Sequence, residues 1–383
     1  MSAVDRPARM VRVASVGVST AEICGVRDHG ALLAPALRRE GYDCSIHWLE
    51  RDGESLRAGR AQVGEWTRRL PAELAAAHAD AALLHYSVFA YSFRGLPLFI
   101  HPVLAAVRKA GLPLVTILHE FVYPWRRDGL RGAAWAVSQR ALLIDVMRLS
   151  TALVTTTDFQ AEWLSSRRWL PKRPVAVAPV FSNLPPPAPS RRAGHDGTTI
   201  GLFGYAYGRA TCSLVSDAMR ILQDRGIPAR LRLLGAPGQA SAAGGEWDVA
   251  ARAAGLSQMP SFSGTLAPQR LSDELAACDL LLFADPLGPN SRKTTLAASL
   301  ASGRPVVAVD GPRPFGRLAE AQACEIVTPR AHDLADALAR LLEDEAAREV
   351  LGARGLSFAE QSMSAASAAH VIAGLLDLAR ERR

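Results

Sequence analysis

A basic pair, Arg292-Lys293, stands directly before Thr294 and Thr295 in the stretch DLLLFADPLGPNSRKTTLAASLASGRPVV, which runs from Asp279 to Val307. Lys293 is one of three lysines in a chain with 44 Lys and Arg. An apolar run, Leu280 to Ala284, leads through a glycine-containing turn into an Ala/Ser-rich helix. A triphosphate P-loop has that order, but it needs a glycine immediately before the lysine so that backbone N–H groups curl inward. Arg292 holds that place, and Gly288 lies five positions before Lys293 rather than six. The P-loop is therefore set aside. What survives is an anion site built from Ser291, Arg292, Lys293, Thr294 and Thr295, where a helix start offers free N–H groups and the positive end of its dipole. A solvated Arg-Lys pair is the alternative, though cations at a helix start oppose the dipole unless an anion offsets them.

Three further constellations sit at the ends of strand-like runs. Cys24-Gly25 precedes a helical segment, and a glycine there allows close backbone approach to a ligand. The GxGxxG spacing of a dinucleotide site is absent. His119-Glu120 ends PLVTILHE, where a histidine can donate to substrate hydroxyls or move protons, with Glu120 as its orienting group. A histidine bonded only within its own domain fits the same position. Gly204 and Gly208 shape the turn after TTIGLFG, and Arg209 opens the next helix. Alone, Arg209 reads as a surface residue; with Arg292 and Lys293 it would make a three-cation pocket suited to a diphosphate.

The elements that must position these residues alternate along the chain. Strand candidates in the first half are VRVASVGV (11–18), YDCSIHWL (42–49), AALLHYS (81–87), PLVTILHE (113–120), ALVTTT (152–157) and VAVAPV (175–180). Helical segments, such as Asp28 to Glu40 and Leu96 to Ala110, fall between them. The alternation breaks at FSNLPPPAPSRRAGHDG, Phe181 to Gly197, and restarts with TTIGLFG, ARLRLLG, SFSGTL, DLLLFAD, PVVAVD and EIVTP. Strand and helix in alternation predict parallel sheets covered on both faces, with ligands at the carboxyl ends of the strands. The expected division is a first domain over 1–183, a linker over 184–197, a second domain over 198–361, and a last helix over 362–383 that packs on the first domain.

Charge is unevenly placed. The first 180 residues hold 23 Lys and Arg against 16 Asp and Glu, while the rest balance at 21 each. The net +7 thus belongs to the first half and favours an anionic partner there, a membrane surface or a phosphorylated acceptor. Nucleic acid is not expected, since few aromatics lie among the basic residues and there is no basic tail. The five cysteines form no CxxC pair, so neither a disulfide framework nor a cysteine zinc site is expected. No apolar run approaches the roughly 20 residues of a spanning helix, and MSAVDRPARM shows no secretory signal, so a cytoplasmic location is expected.

Taken together, CGVRDHGALLAPALRREGYD, VTILHE, ALVTTTDFQAEWL, APVFSNLPP and FSGTLAPQRLSDELAACDLLLFADPLGPNSRKTTLAASLASGRPVVAV resemble the nucleotide-sugar glycosyltransferases of GT-B fold, especially retaining family 4. The resemblance covers nearly the whole chain. It implies an α/β protein with two Rossmann-like, doubly wound parallel-sheet domains facing a central cleft. It further implies that Gly25 approaches the donor diphosphate, that His119 contacts the donor sugar, and that Gly204, Arg209, Lys293 and the helix starting near Thr294 serve the diphosphate. The donor would be a nucleoside diphosphate sugar and no metal would be needed. From the basic first half, peripheral contact with the inner face of the membrane is expected. One departure stands out: the family's Glu-x7-Glu falls on Asn290 and Ala298. The loss motivates a second hypothesis, a non-catalytic protein of the same fold that binds a partner transferase or an anionic surface. A sugar epimerase or phosphorylase is a lesser enzymatic alternative.

Overall fold

A computed structural model describes residues 10–20, 24–52, 55–188, 198–204, 207–313 and 315–382. The start of the N-terminal segment, residues 21–23 of the first loop, residues 189–197 of the expected linker, and Tyr205-Ala206 lie outside the described residues. The chain forms two compact units, one comprising Met1–Pro179 with Ala365–Arg383, the other Val180–Ser364.

The first unit is built on the parallel strands β1 (Val11–Ser19), β2 (Tyr42–Glu50), β3 (Ala81–Ser87), β4 (Leu114–Glu120), β5 (Ala152–Thr155) and β6 (Val175–Val177), with helices α1 (Gly25–Arg39), α2 (Leu56–Ala76), α3 (Ile100–Lys109), α4 (Gly129–Leu149) and α5 (Asp158–Ser165) between them. The spatial order is β2-β1-β3-β4-β5-β6. The chain leaves β1 toward one edge and returns to the other side of it, so the strand order reverses between β1 and β3.

The two faces of this sheet differ, and β1 shows why. Successive strand residues point to opposite faces. Ala14, Val16 and Val18 enter a hydrocarbon core with Val63 and Trp66 of α2 and Val103 and Val107 of α3. The alternate positions are Ser15, Gly17 and Ser19. The expected helix over Leu96 to Ala110 starts only at Ile100. Pro97 disfavours helical backbone at Leu96, and a turn with Arg94 at φ 49° and Gly95 at φ 86° pairs Phe93 with Leu96 instead.

The second unit repeats the plan with β7 (Thr198–Phe203), β8 (Ala229–Leu234), β9 (Ser261–Phe262), β10 (Leu280–Phe283), β11 (Val306–Val309) and β12 (Glu325–Val327). Its helices are α6 (Arg209–Asp224), α7 (Ala242–Ala254), α8 (Pro268–Ala277), α9 (Thr294–Ala301), α10 (Gly316–Glu320), α11 (Ala331–Glu343) and α12 (Glu345–Ser362). The order β12-β11-β10-β7-β8-β9 is parallel throughout and reverses between β10 and β7. Residues 184–188 of the expected linker run along α8, where Ser272 donates to the Pro185 carbonyl at 2.7 Å and Asp273 accepts from the Ala188 N–H at 2.8 Å.

The last helix, α13 (Ala365–Glu381), returns to the first unit and lies against α1, β4, β5 and β6. Ala369, Ile372, Ala373 and Leu376 form its buried stripe, and the Tyr42 hydroxyl of β2 donates to Asp377 at 2.5 Å. The expectation that no segment reaches spanning length needs correcting, because Glu345–Glu381 passes that test by length and composition. The stretch is two helices, however, broken at Met363-Ser364. Their apolar sides are spent on separate partners, α12 on α9 and α13 on the first sheet.

Candidate functional site

In a doubly wound sheet the ligand crevice opens at the carboxyl ends of the strands where the order reverses. In the second unit those strands are β7 and β10. The loops leaving them carry Gly204 and Arg209 on one side and Asp285 through Lys293 on the other.

The β10 loop is tightly organised. Asp285 accepts from the Leu287 N–H through Oδ1 at 2.9 Å, and its Oδ2 lies 2.5 Å from Lys293 Nζ. Gly288, at φ 78°, turns the chain against Gly311, so that a Cβ at Gly288 would fall 2.6 Å from the Gly311 nitrogen. Asn290 is buried and serves the turn itself: Oδ1 accepts from the Arg292 N–H at 3.2 Å, and Nδ2 donates to the Gly288 carbonyl at 3.1 Å. Ser291 is buried, with its carbonyl accepting from the Val180 N–H at 2.8 Å. Lys293 is the N-cap residue of α9 and supplies no side-chain cap. The first-turn N–H groups at Thr294 and Thr295 therefore have neither an intrahelical nor an N-cap side-chain acceptor.

A helix N-terminus with an ammonium group beside it has the chemistry to hold an anion, and the Asp285 carboxylate opposes it. Asp285 fixes Lys293 through one of its three N–H donors; the lysine side chain keeps about a third of its surface exposed (33%), leaving donors for a ligand. On the β7 side, Tyr207 donates to the Phe203 carbonyl at 2.6 Å. Burial, helped by the nearby Asp285 charge, holds its phenol well above the ordinary range. Arg209 is the first residue of α6, and its mostly exposed guanidinium lies 3.2 Å from Glu246 of α7. Two of the cations expected at a diphosphate therefore each have a carboxylate partner.

In the first unit, Gly25 is the first residue of α1, and a Cβ there would meet nothing within 4 Å. His119 sits near the carboxyl end of β4, and Glu120 ends the strand, its carbonyl accepting from the Val88 N–H at 2.7 Å. His119 belongs to a buried cluster with His29 of α1 and His85 of β3. His119 Nε2 lies 3.3 Å from His85 Nδ1, and His85 Nε2 lies 3.1 Å from the Ser15 hydroxyl. The His29 ring stands nearly perpendicular to that of His119, with centroids 5.0 Å apart.

Small residues make this room. A Cβ on Gly17 would overlap the Trp48 ring at 2.1 Å, and one on Gly30 would press on His85 at 3.3 Å. Trp48 thus crosses β1 to reach the cluster and donates to Ser19 at 3.1 Å. Burial pushes the His29 imidazole down to about 4 and the His85 imidazole down to about 3, the latter with help from His29. Both rings are neutral at pH 7 and offer lone pairs. Ligating atoms of the three histidines lie within 4.8 Å of one another, the one grouping of potential metal ligands of this kind among the described residues. His29 and His85 were not singled out from sequence. The usable signal was that AALLHYS, like PLVTILHE, carries a histidine near the carboxyl end of an apolar strand.

No protein-family model and no curated protein sequence matches the chain. Solved structures do. The chain is similar to sucrose-phosphate synthase from Thermosynechococcus elongatus, with TM-score 0.68 at 14% identity over 97% of this chain and 100% of that one. It is similar to Anabaena HepE in complex with UDP and glucose, with TM-score 0.66 at 16% identity over 95% and 99%. A glycosyltransferase from Rickettsia africae gives TM-score 0.71 at 10% identity over 97% and 99%. At such identities the likeness speaks to architecture. Two parallel six-stranded sheets, each flanked by helices and each with one reversal of strand order, give this chain the GT-B fold of nucleotide-sugar glycosyltransferases.

Proposed function

We propose that the chain is a glycosyltransferase that moves a sugar, with retention, from a nucleoside diphosphate sugar to an acceptor. The observation that carries this reading is Lys293, braced by Asp285 at the N-terminus of α9, beside the reversal of strand order between β7 and β10. A diphosphate there takes the remaining ammonium donors and the first-turn N–H groups, with Arg209 at the start of α6. Charge developing on the departing diphosphate is met by groups already in place, so no metal is assigned to that step. In the first unit the reading uses Gly25, His119 and Glu120. Because HepE was solved with UDP and glucose, uridine diphosphate sugars head a thermal-shift screen that continues with GDP, ADP and dTDP sugars.

Loss of Lys293 tests the assignment. Removing a charge-assisted contact costs about 1.5–3 kcal/mol, so Lys293→Ala should weaken nucleoside diphosphate binding by about tenfold or more in calorimetry. Unchanged affinity would place the diphosphate elsewhere.

Asn290 favours one competing reading, a non-catalytic binding protein, because its side chain is committed to the turn and Ala298 is buried in α9. Turnover separates the two. The enzyme hydrolyses or transfers from a nucleotide sugar, whereas the binding protein associates with its partner regardless of nucleotide.

The acceptor side of the proposal is peripheral, at the cytoplasmic face of a membrane. The expectation that few aromatics lie among the basic residues fails around α4 and α5, where exposed Trp125, Leu130, Phe159 and Trp169 lie among Arg126, Arg127, Arg131, Arg168 and Lys172. Arg140 stacks on Trp125 at 4.4 Å and Arg167 on Trp163 at 5.0 Å. Aromatic side chains that rest at the headgroup level, beside arginines worth about 1 kcal/mol each near an anionic surface, suit such a contact. The chain should pellet with anionic but not zwitterionic vesicles, and release as salt rises. Equal pelleting of Arg126→Glu/Arg127→Glu would remove this surface from the proposal.

A further inference from the structure

We propose that His29, His85 and His119 form a three-nitrogen site for a borderline divalent cation of the Zn2+ class. The inference concerns metal binding and does not depend on the transfer reading. Its geometric basis is the spacing of the ring nitrogens. Zinc holds histidine nitrogens at about 2.0–2.1 Å in a tetrahedron, which sets neighbouring nitrogens about 3.3 Å apart. His85 Nδ1 and His119 Nε2 are 3.3 Å apart. His29 closes the third corner, since ligating atoms of all three lie within 4.8 Å of one another. The His85 and His119 rings are nearly parallel, at 15°, while the His29 ring meets His119 edge-on, at 85°, and so approaches the pair from a different direction. The remaining approach is a side-chain adjustment in the second turn of α1.

A second, independent feature is the partner on the far side of His85. Metal-bound histidines donate their other ring N–H to a neighbouring acceptor, which fixes the tautomer and aims the ligating lone pair. Ser15 stands 3.1 Å from His85 Nε2 and is itself buried. With Nε2–H donating to Ser15, the Nδ1 lone pair points at His119. Without metal, His119 Nε2–H donates to that lone pair. With metal, both nitrogens face the cation, and His119 carries its proton on Nδ1, leaving an N–H for a hydroxyl. Three neutral imidazoles leave the cation's charge uncompensated, so its fourth ligand is an oxygen, water or hydroxide.

The ligand set excludes hard cations. Mg2+ and Ca2+ take oxygen donors, while imidazole suits Zn2+, Co2+, Ni2+ and Cu2+. The packing around Gly17 and Gly30 explains how three rings share one buried space that aliphatic side chains fill on the opposite face.

The test uses the full, tag-free chain, stripped with a chelator, dialysed, and loaded separately with Zn2+ and Co2+. One equivalent of zinc per chain and the visible absorption of four-coordinate Co2+ are expected. His85→Gln and His119→Gln should each reduce uptake to background, with folding checked by circular dichroism. Ser15→Ala keeps all three ligands and should weaken zinc binding by about tenfold or more, which keeps the test valid if a histidine variant fails to fold. No stoichiometric uptake by the parent chain, equal uptake by folded histidine variants, or an unchanged affinity in Ser15→Ala would each overturn the site in favour of a metal-free hydrogen-bonded cluster.

Discussion

Gly288→Ala should cost the second unit about 3 kcal/mol or more and remove nucleoside diphosphate binding with it. Two penalties coincide at this position. The residue holds φ 78°, a backbone conformation that costs a side chain about 1 kcal/mol or more. Its Cβ would also sit 2.6 Å from the Gly311 nitrogen and 2.9 Å from its Cα. Those are backbone atoms of the loop just after β11, so no rotamer change relieves the overlap, and forced movement adds about 1–3 kcal/mol. The loop that must give way is the one holding Asp285 against Lys293. Differential scanning calorimetry, paired with a nucleotide titration, reads both effects. A useful contrast is Gly25→Ala, where the added methyl group meets nothing within 4 Å and stability should be kept. A Gly288→Ala chain with parental melting temperature and affinity would mean that the loop is not held as described.

The second large effect is acid destabilisation of the first unit. His29 and His85 titrate near 6.5 when unfolded, but in the folded chain burial lowers them to about 4 and about 3. Below pH 6.5 the unfolded state therefore binds protons that the folded state refuses, and stability falls as pH falls. By pH 5 each buried ring withdraws roughly 2 kcal/mol relative to neutral pH. Most carboxylates are still ionised in that window, so the histidines dominate it. Urea midpoints at pH 7.5 and pH 5, in chelator-treated protein so that no metal competes with protons, should differ markedly for the parent. His85→Phe should remove about half of the dependence, leaving the part that His29 contributes. Identical parent midpoints at the two pH values would mean that these rings are hydrated.

Much of the fold is legible in the sequence because parallel strands buried on both faces must be apolar throughout. AALLHYS coincides with β3, and TTIGLFG, ARLRLLG and PVVAVD each hold one strand of the second sheet. Edge strands were overestimated, since SFSGTL yields only Ser261–Phe262 and VAVAPV only Val175–Val177. In VAVAPV the apolar run continues past Val177, the last residue in register with β5. The candidate site was legible where chemistry follows chain order, as in the approach of Lys293 to the start of α9. It was not legible where side chains from distant elements meet. Asp285 and Glu246 gave no sign of their cation partners, and nothing local joins His29, His85 and His119. Their meeting depends on β3 pairing with both β1 and β4, and on the absence of side chains at Gly17 and Gly30.

The return of α13 to the first sheet has a consequence for biogenesis. The second unit is one continuous run, Val180–Ser364, whereas the first is assembled from the two ends of the chain. On a ribosome the first 179 residues emerge early, yet the surface formed by α1, β4, β5 and β6 stays uncovered until α13 is made. Every residue of the second unit precedes α13 in the chain, so the first unit can be completed only after the second unit's residues have been made. A chain interrupted before α13 therefore presents an uncovered apolar surface to which chaperones can bind, because the stripe of Ala369, Ile372, Ala373 and Leu376 that covers it is missing.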